Sequence, residues 1–81
     1  MADTADMRER VAHLFSRGMN LDVPSVDVDL FEAGVLDSLA FVELLLQIER
    51  EFGVTTSVDD LEVENFQSIA RIADFISAKT P

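Results

Sequence analysis

The sequence predicts an all-α fold, a small four-helix bundle with three main helices, one short helix and a long loop between the first and second. Apolar residues recur at helical spacing in three separated stretches, and no stretch sustains a convincing strand period. A chain of 81 residues is expected to form a single domain over 1–81. At this size folding buries about 60% of the surface of the unfolded chain, enough for one small core and no deep cleft.

The first helix is expected over residues 4–19. Met7, Val11, Leu14 and Phe15 fall at i, i+4, i+7 and i+8, a single buried stripe. Asp3, Thr4 or Asp6 can cap its start, and Gly18 and Asn20 tolerate the left-handed conformation common at helix ends. From Leu21 to Leu36 the chain carries Pro24, Gly34 and scattered apolar residues without a sustained period. A loop of that length in so small a chain packs its own side chains down, and Leu30 and Phe31 are the expected anchors, in a single helical turn.

The second helix is expected over 38–52, with Asp37 as its cap, Ser38 at the first helical position and Gly53 closing it. Its apolar positions, Leu39, Phe41, Val42, Leu44, Leu45, Leu46, Ile48 and Phe52, cover more than one stripe. Such a helix is buried on two sides, or buried on one and adhesive on the other. After the connection of residues 54–57, Asp59 to Asn65 is expected to make one or two turns of a short third helix. Ile69, Ile72, Ala73, Phe75 and Ile76 then define a last helix over 68–78, with Ser68 or Gln67 near its cap and Lys79 in its last turn.

Composition closes several routes to chemistry. There is no Cys and one His, His13, so a disulfide framework, a cysteine nucleophile and a His/Cys metal cluster are all excluded. A serine hydrolase lacks its base and its nucleophile elbow, and Asp27, Asp29, Glu32 and Asp37 lack calcium-loop spacing, so no catalytic and no metal-ligating residues are assigned. His13 reads as a partly exposed helix residue, and Met7 and Met19 as packing. Six basic against sixteen acidic residues give a net charge of −10, which repels phosphate backbones and favours basic protein surfaces as partners. The opening MADTADMRER has no apolar core of a secretory signal, and no apolar run reaches membrane-spanning length. A cytoplasmic monomer that binds neither nucleic acid nor membrane is expected.

Ser38 remains as the unusual feature, a hydroxyl where a long loop meets a helix. Helix N-termini hold phosphate well, because their free N–H groups and the helix dipole both favour negative charge. On these grounds alone, a simple capping serine at a helix start is the favoured reading.

The string Leu30-Phe31-Glu32-Ala33-Gly34-Val35-Leu36-Asp37-Ser38-Leu39, continuing through Val42-Glu43-Leu44 to Glu51-Phe52-Gly53, resembles the acyl and peptidyl carrier protein family. The likeness runs from Arg10-Val11 to Ile76, and its elements fall in family order. It implies an acyl-carrier-like four-helix bundle whose Ser38, set between Asp37 and Leu39, carries 4′-phosphopantetheine added from coenzyme A by a phosphopantetheinyl transferase. The arm's thiol would then hold an acyl or aminoacyl group as a thioester. An adenylating enzyme or acyltransferase would load it, and a downstream transferase or synthase would take it. The resemblance also implies a partner-docking face on the second helix and the loop before it, here Val35, Leu36, Leu39, Glu43, Leu46, Gln47 and Glu49.

Ala40, Gln47 and Arg50 stand where carriers of fatty acid synthases commonly show acids. The Gly-Val-Leu-Asp-Ser-Leu form looks more like discrete carriers that accept amino acids, such as D-alanyl carriers and free-standing carriers of polyketide and nonribosomal peptide pathways. A dedicated pathway carrier is therefore expected, with a fatty acid synthase-type carrier and an unmodified, carrier-like structural subunit as the alternatives.

The charge imbalance generates a first prediction. The bundle should be self-repelling at low ionic strength, so moderate salt or divalent cations should raise its melting temperature. Melts followed by circular dichroism across a salt series will check this, and a flat series would mean that the acids are well paired.

Overall fold

The computed structural model describes residues 4–57 and 61–79, with backbone alone at residues 4 and 5. Three α-helices, α1 (Thr4–His13), α2 (Ser38–Phe52) and α3 (Ile69–Lys79), surround one core. The short third helix is a single 3-10 turn, Val63–Phe66, so the expected span from Asp59 is shortened. Asp59 and Asp60 themselves lie outside the described residues. No strand occurs among the described residues, and no helix there is long and apolar enough to cross a membrane.

Helix α1 buries the expected stripe of Met7, Val11, Leu14 and Phe15 and packs chiefly on α3. It stops short of the expected end, however, because residues Leu14–Gly18 widen into a π turn in which the Met19 N–H donates to the Leu14 carbonyl at 3.1 Å. Asn20, at φ 57°, then takes the left-handed conformation, and the Leu21 N–H reaches back to the Phe15 carbonyl at 2.8 Å. Gly18 lies inside the π turn, where a Cβ would stand 3.1 Å from Gln47 Oε1 at the end of the α2 side chain. Of the expected caps, Asp3 and the Thr4 side chain lie outside the described residues, and Asp6 stands in the first turn.

At the far end of the chain, Ser68 caps α3. Its Oγ accepts from the Arg71 N–H at 3.2 Å and its carbonyl from the Ile72 N–H at 2.9 Å. Ile69, Ile72, Ala73, Phe75 and Ile76 are buried. Four of the six phenylalanines form a chain of ring contacts through the molecule. Phe31 meets Phe41 at 6.1 Å between centroids, Phe41 meets Phe66 edge-on at 5.1 Å, and Phe66 meets Phe75 at 5.2 Å. Such pairs add about 0.5–1.5 kcal/mol each beyond the area they bury.

The long loop is held by side chains and by a knot of hydrogen bonds. Asp29 Oδ1 accepts from the N–H groups of Phe31 and Glu32, both at 3.0 Å, and Oδ2 accepts from Gln67 Nε2 at 2.9 Å. The Leu30 N–H donates to the Gln67 carbonyl at 2.7 Å, and the Ala70 N–H to the Val26 carbonyl at 3.0 Å. The anchoring turn at Leu30 and Phe31 is thus real, capped by Asp29 and stitched to the start of α3. The bond from the Glu32 N–H, followed by that from Gln67, outweighs the opposing effect of burial and holds the Asp29 carboxyl below the ordinary carboxylate range.

A carboxyl with a lowered folded pKa stabilises the fold above its unfolded pKa, and that stability is lost as pH falls through the folded value. Asp29→Ala should therefore lower the melting temperature at pH 7. The gap to wild type should close as pH falls below about 4, which melts at stepped pH will check.

Candidate functional site

The loop delivers the chain to α2 through two fixed points. Gly34, at φ 76°, occupies the left-handed region that a side chain resists, and it closes the turn with its N–H on the Phe31 carbonyl at 3.2 Å. The N–H groups of Val35 and Leu36 then both donate to the Leu30 carbonyl at 2.9 Å. With Leu30 and Leu36 both buried, the next residues emerge at the surface already oriented.

Asp37 follows in extended conformation, and its Oδ1 accepts from the Ala40 N–H at 2.8 Å, a side-chain cap on α2. Its own carbonyl takes the first helical bond, from the Phe41 N–H at 2.8 Å. Ser38 is consequently the first residue of the helix and is exposed, and its Oγ makes no hydrogen bond among the described residues. The N–H groups of Ser38 and Leu39 have no acceptor within the helix, as at any helix start, so two donors and the positive end of the dipole surround a free hydroxyl. That arrangement can hold a phosphodiester. Beside it opens an apolar groove of about 360 Å³, lined by Phe31, Asp37, Ser38, Phe41, Leu61 and Val63.

Helix α2 turns out to be buried on one side and apolar on the other. Leu44 and Ile48 face the core, whereas Leu39, Val42 and Leu46 are 83%, 55% and 51% exposed. These three stand at i, i+3 and i+7 and form one stripe. Glu43 and Glu49 are exposed beside it, and the half-buried Gln47 donates from Nε2 to Glu43 Oε1 at 3.1 Å. Val35 is half-buried. Leu36, expected on this face, is instead 3% exposed, because its backbone bond to Leu30 turns its side chain into the core. Val42 was missing from the expected face, although its spacing from Leu39 and Leu46 marks it. His13 lies exposed in a cleft with Arg10, Arg17, Gln47 and Glu51, a cleft that Ser38 does not line.

Comparison with known proteins places these features in a family. Residues 9–76 match the family described as phosphopantetheine attachment site. D-alanyl carrier proteins of Streptococcus pyogenes serotypes M5 (strain Manfredo), M49 (strain NZ131) and M1 are each 36% identical to this chain over 67 residues. The aligned part covers 82% of this chain and 85% of each relative.

The division of labour between Asp37 and Ser38 yields a prediction. Asp37→Ala should cost about 1 kcal/mol through loss of the cap, a fall in melting temperature of about 4–8 °C. Ser38→Ala, which removes no bond, should stay within about 0.5 kcal/mol of wild type. Denaturant titration of both variants will check the contrast.

Proposed function

The chain belongs to the family of carrier proteins that bear a phosphopantetheine attachment site, and from that premise we propose that Ser38 is the side chain holding this one's 4′-phosphopantetheine. A carrier of this family is no catalyst; it is a cosubstrate for partner enzymes, and its cofactor is attached covalently. When bound, the arm supplies a thiol that holds a carboxylic acid as a thioester. The observation that supports Ser38 is its exposed, unbonded Oγ at the first position of a helix capped by the residue before it. Asp37 frees the hydroxyl by taking the cap, and the N–H groups at the start of α2 would favour the phosphate's charge.

On this reading residues 1–81 act as one carrier domain. A phosphopantetheinyl transferase modifies it from coenzyme A, an adenylating enzyme or acyltransferase loads it, and a downstream transferase or synthase unloads it. These enzymes dock on Leu39, Val42 and Leu46, with Val35, Glu43, Gln47 and Glu49 around them. An apolar stripe edged by carboxylates suits a partner with an apolar patch and a basic rim.

The pathway we favour is a dedicated one, with amino acid loading ahead of polyketide or nonribosomal peptide synthesis and of housekeeping fatty acid synthesis. The D-alanyl carrier relatives support amino acid loading. So does α2 itself, where Ala40, Gln47 and Arg50 thin out negative charge.

Intact-protein mass after incubation with coenzyme A and a broad-specificity phosphopantetheinyl transferase tests the attachment site. One adduct is expected on wild type and none on Ser38→Ala. No adduct on wild type, from a transferase active on another carrier, would overturn the assignment and leave an unmodified structural subunit.

A further inference from the structure

Two rings, Phe31 and Phe41, line the groove beside Ser38 and stand between it and the core. Its outer lip is Leu61 and Val63, which are 42% and 62% exposed. Phe41, which also lines it, stands edge-on over Phe66 at 78° between ring planes. Phe66 has no exposed surface and leans in turn on Phe75. Phe31 closes one side against Phe41. A linear chain entering from Ser38 must displace Phe41 first and Phe66 next. Behind them Leu30, Leu44, Ile48 and Ile72 are fully buried.

Each ring stands on a tethered piece of backbone. The Phe31 N–H is bonded to Asp29 Oδ1. Phe41 sits in the first turn of α2, its N–H on the Asp37 carbonyl. Phe66 immediately precedes Gln67, whose carbonyl accepts from Leu30 and whose side chain donates to Asp29. Shifting Phe66, which is fully buried, forfeits its contacts on every side, and shifting Phe41 forfeits its packing on Phe66 and Phe31.

We propose that Phe41 over Phe66 is a specificity element that keeps a long alkyl chain on the Ser38 arm out of the bundle interior, so that the protein shelters only short acyl or aminoacyl groups. The open groove gives a short apolar group a seat at the surface, and the stack denies a long alkyl chain storage inside the bundle. This inference rests on the assignment of Ser38 as the attachment residue.

The test uses the apo protein loaded with acetyl- or octanoyl-phosphopantetheine from the corresponding acyl-coenzyme A, with intact mass as the check on loading and melting temperature as the readout. The two loaded forms of wild type should melt within about 5 °C of each other. An octanoyl form more stable by a larger margin would mean that its methylenes have left water, and would overturn the proposal. Phe41→Ala should make the octanoyl form the more stable by more than about 5 °C, because the groove gains the volume of a ring. Should that variant lack a cooperative melt, Phe41→Leu is judged by the same margin, and no chain-length effect in the folding variant would overturn the role of the ring. Failure of the two readings is distinguishable: a loaded wild type stabilised by octanoyl overturns the stack alone, whereas no mass adduct overturns the Ser38 assignment and this inference with it.

Discussion

The carboxylate of Asp29 joins parts of the chain that are far apart in sequence. One oxygen caps the turn that begins at Leu30, and the other takes the side chain of Gln67, just before α3. Through Leu30 and Leu36 that turn fixes the point at which the loop becomes α2, and through Gln67 it fixes Phe66 under Phe41. A long loop carries a large entropy cost of ordering, and a few bonds to a charged acceptor, each stronger than a neutral one, offset part of it locally. The position of Ser38 is therefore a consequence of packing at the other end of the loop as well as of the helix it begins.

The second constraint is that α2 must serve two surfaces at once. Leu44 and Ile48 give it a core face, and Leu39, Val42 and Leu46 an outward one. Leaving three large apolar side chains in water contributes nothing to the stability of an isolated bundle, and on the proposed reading partner enzymes cover the stripe for part of the time. The high negative charge limits how permanently that can happen. Like charge opposes self-association of the stripe, and a partner must bring basic groups to offset the acids around it. A surface that is sticky in composition and selective in charge suits repeated, short-lived encounters with several enzymes.

Much of this was legible in the sequence. The core stripe of α1, both ends of α2, the cap at Ser68 and the turn at Leu30 follow from local chemistry, in which spacing and capping residues act on their immediate neighbours. The π turn at Leu14–Gly18 was not legible, because residues 14–18 continue the helical spacing of α1 and nothing in that spacing marks a widened turn. The 3-10 turn at Val63–Phe66 was longer in expectation because acidic, apolar-spaced residues look alike in one helical turn or two. Leu36 was misplaced for a similar reason. Its neighbours in sequence are at the surface, and only the shared acceptor at Leu30 turns it inward. The spacing of Val42 in the outward stripe was visible, but not which side of a helix apolar on two faces would meet the core.

What the arrangement around Ser38 achieves is separation of tasks within three residues. A serine at the cap itself would spend its hydroxyl on the helix, accepting from the backbone two or three residues on. Placing Asp37 at the cap satisfies that donor with a charged acceptor and moves the serine one residue into the helix, where its Oγ is free and the neighbouring N–H groups remain unpaired. The same shift puts Leu39 outward at the head of the apolar stripe, next to the hydroxyl. On the proposed reading, a partner that covers the stripe is thereby brought against the serine and the groove beside it. In a carrier this is the useful geometry, because a tethered group then reaches the partner's active site at high effective concentration and leaves when the encounter ends.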